Sequence, residues 1–230
     1  MRIKNKACTK ILVILVFCCL FAAYGQNKAY AADIGVGATT WYTYWDPDFN
    51  PSFLYGPTLS AKLNDDFNLT FLFLYGEFDS KDSPRCTYRR YDSDLAINYK
   101  IDEYLKIFLG IKYLGFSARN DDRESSAYGP GAGITATIPV ADNLFILGNV
   151  AYMYLWSNEK RILFQPHFQM GLNDYAINSS LSLAYYIARA STVISLGGRF
   201  QYLSTNFDSS YSTNNKFYGV TLSATYTFSI

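Results

Sequence analysis

Cysteine is nearly absent from this chain of 230 residues once its first segment is set aside. Cys8, Cys18 and Cys19 lie within that segment, and Cys86 stands alone beyond it. A lone thiol excludes an intramolecular disulfide scaffold. Histidine occurs once, as His167, so no His pair exists for a metal site and none is expected. No apolar run after the first segment approaches the roughly 18 residues of a transmembrane helix. Charge of one sign is not in excess, with 20 basic and 19 acidic residues. Without a basic patch, a nucleic-acid partner is excluded.

The first segment carries a secretory pattern. Arg2, Lys4, Lys6 and Lys10 make a basic start, and residues 11–23 make an apolar core too short to span a bilayer comfortably. Ala29 and Ala31 supply the small residues that flank a cleavage point. Cleavage is expected after Ala31, with Ala32 as the alternative. A retained N-terminal anchor is the competing reading. Lipoprotein processing is disfavoured, because Phe17 and Cys18 precede Cys18 and Cys19 where a small residue is needed. The expected organisation is a signal peptide, residues 1–31, followed by one domain, residues 32–230. Its removal takes away five basic residues and no acidic one, leaving 15 basic against 19 acidic.

Aromatic residues are abundant, at 18% of the chain, with 21 Tyr and 17 Phe against 3 Trp. Such a supply suits a protein with wide interfacial surface. Mean hydropathy is −0.02, and the balance is struck residue by residue. In 216–230, Tyr218, Val220, Leu222, Ala224, Tyr226, Phe228 and Ile230 alternate with Gly219, Thr221, Ser223, Thr225, Thr227 and Ser229. Strands put alternate side chains on opposite faces, so this is a strand with one greasy and one small polar face. The alternation recurs at 34–45, 53–63, 67–78, 88–100, 104–117, 128–140, 144–156, 175–188 and 192–204. The total is about ten strands, with eight as the alternative because 144–156 is apolar on both faces in places. Tight turns at 64–66, 101–103, 141–143 and 189–191 alternate with longer segments at 46–52, 79–87, 118–127, 157–174 and 205–215. The recurring Asp66-Phe67-Asn68-Leu69, Glu103-Tyr104-Leu105 and Asp142-Asn143-Leu144 mark the hairpin as the repeating unit.

A last strand with Tyr226, Phe228 and Ile230 on alternate positions resembles the closing strand of bacterial outer-membrane β-barrels. Ile230 stands where that class usually has an aromatic. The resemblance implies an all-β fold, a closed antiparallel up-and-down transmembrane β-barrel, integral to the outer membrane. It implies two partners, outer-membrane lipid and the barrel-assembly machinery that engages Tyr226, Phe228 and Ile230. An even strand number places both ends and the short turns in the periplasm and the longer segments outside. The greasy face should meet lipid, because the minor face of Gly, Ser, Thr, Asn and charges could not make a hydrophobic core. Tyr42, Tyr75, Tyr113, Tyr154, Tyr185 and Tyr202 fall near the strand ends, as in an aromatic girdle. The rival is a soluble β-sandwich or lipocalin-like barrel.

Charges on the minor face form the candidate site: Lys62, Arg90, Asp92, Asp94, Lys106, Lys112 and Arg199. Asp92 and Asp94 could pair with Lys106 or Lys112 across adjacent strands. Charges in a lumen pair or are wetted. The bland outcome is a salt-bridge network filling a narrow barrel, and the sharper one is a charged constriction that selects solutes. His167 lacks a nucleophile motif, so no catalytic residue is expected and the chain is read as a non-enzyme. Gly129, Gly131 and Gly133 lie in a strand that opens no helix, so they ease curvature rather than cradle phosphate. No cofactor is expected. The functional expectation is a narrow porin-like channel or a structural membrane protein. The alternative is an adhesin or ligand-binding barrel acting through its outer loops, whose partners would be small solutes or extracellular ligands.

Overall fold

The structure, a computed structural model, describes residues 33–46, 48–81, 86–119, 124–160, 169–208 and 211–229. The leader, Pro84, His167 and Ile230 lie outside the described residues. Ten strands run through the described chain: β1 (Asp33–Asp46), β2 (Ser52–Lys62), β3 (Phe67–Asp79), β4 (Thr87–Lys100) and β5 (Leu105–Ala118), then β6 (Glu124–Ala141), β7 (Leu144–Lys160), β8 (Gln169–Ile187), β9 (Thr192–Asp208) and β10 (Tyr211–Ser229). Each pairs antiparallel with its sequence neighbour, and β1 closes on β10. The closing ladder runs from Asp33 opposite Ser229 to Asp46 opposite Lys216. Closure leaves no sheet edge, the condition for β-structure in lipid.

One end of the barrel carries both strand termini and the tight turns, and is here termed the turn end. Its turns are set by side chains that cap the backbone. Asn64 Oδ1 accepts the amides of Asp66 (2.9 Å) and Phe67 (2.8 Å), and Asp102 Oδ1 accepts those of Tyr104 and Leu105 (2.7 Å each). A 3-10 turn, Ala188–Ala190, joins β8 to β9 and ends at Ser191 with φ 45.

The opposite, loop end is taller on one side. β8 and β10 run 19 residues, whereas β2 runs 11. Residues 124–127, 205–208 and 211–215, expected within loops, belong to these ladders, as do 157–160 and 169–174, expected as a loop or an extension of the flanking strands. The reason is physical. Alternation is imposed only where one face meets lipid; beyond that band hydrogen bonding continues without an apolar face to mark it.

The outer wall is apolar. Leu109 is 65% exposed and Leu181 64%, with Ile111, Ile134, Val150, Leu196 and Val220 in the same band. Aromatic rings gird the loop-end side of this band. Tyr42 contacts Phe53 (4.8 Å between centroids), Tyr44 stacks on Tyr218 (5.4 Å), and Tyr75 contacts Tyr91 (5.3 Å). At the turn end Phe67 meets Tyr99 (5.1 Å) and Tyr226 meets Phe228 (6.0 Å). An apolar exterior bounded by aromatic belts is the surface of a barrel that sits in a bilayer.

The interior departs from expectation. Its loop-end half does contain a hydrophobic core, with Trp41, Leu54, Leu74, Phe78, Leu114, Leu155 and Phe217 fully buried. The minor face is smaller and more polar in the turn-end half, although Phe108 and Leu147 face inward there too. This explains why β7 reads apolar on both faces: Ala151, Met153 and Leu155 pack into that core.

Candidate functional site

Between the apolar half and the polar half lies a layer of ions. β4 projects Arg90, Asp92 and Asp94 inward, β5 projects Lys112, and β9 projects Arg199 and Gln201. The period of two sets this, because alternate residues share a face and Asp94 stands opposite Lys112 in the β4–β5 ladder. Arg90 Nη2 donates to Asp92 Oδ2 at 2.8 Å and also to Gln201 Oε1. Lys112 Nζ donates to Asp92 Oδ1, and to Asp94 Oδ2 at 2.9 Å. Arg199 Nη2 lies 3.4 Å from Asp94 Oδ2 and 3.7 Å from Asp92 Oδ1, and its Nε donates to Asn178 Oδ1 at 3.2 Å. Arg90 and Asp92 are 0% exposed and Asp94 is 29% exposed.

Aromatic faces cover two of the cations. The Arg90 guanidinium sits 3.8 Å from the Phe217 ring centroid, and that of Arg199 sits 4.7 Å from Trp41. Trp45 then centres a cluster with Phe49 (3.9 Å), Phe217 (5.1 Å), Phe116 (5.2 Å) and Phe78 (5.4 Å). Its indole N–H donates to Asn215 at 3.0 Å. Phe217 thus joins the two groups, touching Arg90 on one side and Trp45 on the other.

On the turn-end side the lumen holds a cavity of about 360 Å³. Its ceiling is Asp94, Lys112 and Arg199; hydroxyls and carboxamides such as Asn149, Asn178, Ser180, Ser195 and Ser223 line one side, and Leu72, Phe108, Leu147 and Met153 line much of the rest. Glycines make room for larger neighbours. A Cβ on Gly131 would stand 2.6 Å from Met153 Cγ, and one on Gly133 would collide with the Phe108 ring and the Val150 carbonyl. A smaller cavity of about 230 Å³ lies at the mouth, lined by Lys62, Lys100, Lys106, Asp33, Asp65 and Asp66 among others.

Of the seven charges singled out in the sequence, Arg90, Asp92, Asp94, Lys112 and Arg199 meet in one layer. Lys62 and Lys106 do not. Lys62 hydrogen-bonds Asp65 at 2.8 Å in the adjoining turn. Lys106 stands opposite Lys100 rather than an aspartate. It is six residues from Lys112 along β5, about 20 Å of strand, so of the two lysines offered as partners for Asp92 and Asp94, Lys112 makes the bonds and Lys106 does not. Tyr226 is exposed on the outer wall beside Phe228 at the turn end. Trp41, Gln201 and Phe217 were not singled out, although each shares the inward parity of its strand. Among the described residues no group of three His, Cys, Asp or Glu could hold a metal ion.

No family model and no curated protein sequence matches the chain. Solved structures do. The outer membrane protease OmpT from Escherichia coli matches with TM-score 0.50 at 13% identity, over 86% of this chain and 96% of that one. The β domain of the Bordetella autotransporter BrkA matches with TM-score 0.51 at 8% identity, over 87% of this chain and all of that one. At such identities the likeness concerns the fold. With the apolar outer wall, it makes the chain an integral β-barrel of the bacterial outer-membrane kind.

Proposed function

We propose that the protein is a plugged, structural barrel of the outer membrane rather than an open diffusion pore or an enzyme. One observation carries this reading: the layer of Arg90, Asp92 and Lys112, at 0–1% exposure, lies directly beneath the aromatic cluster around Trp45. A hydrated channel would leave those charges wet. The leader 1–31 would deliver the chain to the periplasm, and the strand ending in Tyr226, Phe228 and Ile230 would present it to the assembly machinery. The turn end then faces the periplasm and the loop end faces outward.

Purified protein in planar lipid bilayers tests the plug. Insertion without stable conductance steps is the expected result, and Arg90→Ala combined with Phe217→Ala should introduce flickering openings. Regular steps from the unmodified protein would overturn the reading.

A second reading is supported by the uneven rim. β7 to β10 rise beyond β2 and β3 at the loop end, as a surface for an extracellular ligand would. Shortening the β9–β10 hairpin should then abolish adhesion of expressing cells while leaving the barrel assembled. Unchanged adhesion would remove this reading.

A further inference from the structure

Among the described residues, the charges within the ion layer do not balance. Three cations, Arg90, Lys112 and Arg199, share two carboxylates, Asp92 and Asp94. The other buried carboxylate among the described residues, Asp174, accepts from Ser157. It stands four residues beyond Asn178 on β8, about 13 Å further toward the loop end. At the mouth three lysines meet three aspartates. Between mouth and ceiling the described cavity wall is neutral. The surplus positive charge is therefore confined to the ion layer, where desolvation makes an unmatched cation costly. Phe217 covers Arg90 on the loop-end side, whereas Lys112 and Arg199 border the cavity.

We propose that the turn-end cavity binds a small hydroxylated oxyanion, its carboxylate or phosphate against Lys112 and Arg199. Its hydroxyls would meet Ser180, Ser195, Ser223, Asn149 and Asn178 on the β7–β10 side of the cavity. Charge complementarity selects the head group: guanidinium and ammonium donors make strong charge-assisted bonds to oxyanions. The wall selects the rest. Hydroxyls and carboxamides both donate and accept, as a polyol requires, and the half-buried Phe108 ring offers a flat apolar face. A bare inorganic anion would satisfy only the ceiling, and a neutral sugar only the wall. The inference rests on the plugged reading for its sidedness, because a closed loop end leaves access from the periplasm alone.

Isothermal titration of the full barrel in detergent with gluconate, glucose and inorganic phosphate tests this. Gluconate should bind more tightly than either of the other two. Asp94→Asn, which keeps shape and enlarges the surplus charge, should tighten gluconate roughly threefold. Arg199→Gln should weaken it about tenfold. If Arg199→Gln does not assemble, Asp94→Asn still decides. Absence of gluconate binding, glucose binding as tightly as gluconate, or weaker binding by Asp94→Asn would overturn the proposal. A silent bilayer recording without gluconate binding removes the site and leaves the plug. Conductance steps together with gluconate binding would do the reverse.

Discussion

Asp92 is the carboxylate around which the ion layer is built, and Asp92→Asn isolates its charge with little change of shape. In the intact protein Asp92 accepts from Arg90 at 2.8 Å and from Lys112, with Arg199 at 3.7 Å. The substitution leaves three cations with Asp94 as the layer's remaining carboxylate. Stranding a buried charge in this way costs about 3–5 kcal/mol. Asp94→Asn removes the same charge from a group that is 29% exposed and borders the cavity. There water screens what is left, and the loss should be about 1 kcal/mol or less. The assay is urea unfolding in detergent micelles, followed by tryptophan fluorescence and by the gel shift between folded and boiled protein. The two variants should differ by at least about 2 kcal/mol, with Asp92→Asn the weaker. Adding Arg90→Met to Asp92→Asn should recover part of the loss, because one stranded cation is replaced by an apolar chain over Phe217. Equal losses for the two aspartates, or no recovery in the double variant, would refute the reasoning.

Adjacent residues on β8 test the two faces. Leu181→Lys, in the lipid band, should cost about 2–4 kcal/mol and lower the membrane-inserted yield, whereas Ser182→Lys faces the cavity and should insert nearly normally. At the closing strand, Phe228→Ser with Ile230→Ser should reduce assembled protein in outer-membrane fractions far more than Thr227→Ala with Ser229→Ala. Gly133→Leu should cost about 1–3 kcal/mol in the same urea titration, since its side chain meets the Phe108 ring. Phe108→Ala should return only part of that loss, because the Val150 carbonyl still stands in the way.

The wall was legible because lipid imposes a period of two on every crossing strand. Tyr218, Val220 and Leu222 alternate with Thr221 and Ser223 in the sequence, and the same residues divide between outer wall and interior in the barrel. The same parity marked Arg90, Asp92, Asp94 and Arg199 as inward. It did not say which cation meets which carboxylate. That depends on register across the β4–β5 ladder, and register places Lys112, not Lys106, beside Asp94. A lumen filled by salt bridges was among the readings of the sequence; the buried apolar cluster beside them was not. Phe78, Phe116 and Phe217 share the inward parity, but rings near strand ends read equally well as girdle. The distinction lies in which face each ring occupies, and the strand periods supply it once the frame is carried to the strand's end. Ladder beyond the bilayer left no mark, because hydrogen bonds between solvated strands constrain no side-chain pattern.

Spin-label accessibility along β9, on a Cys86→Ser background, tests the arrangement most directly. Labels at Leu196, Ser195 and Leu203 sample the outer wall, the cavity and the plug. In lipid vesicles the Leu196 label should collide with dissolved oxygen and not with a water-soluble nickel chelate. The Ser195 label should collide with the chelate, and the Leu203 label with neither. Chelate collisions at Leu203 equal to those at Ser195 would mean an open lumen, and chelate collisions at Leu196 would mean a wall that does not face lipid.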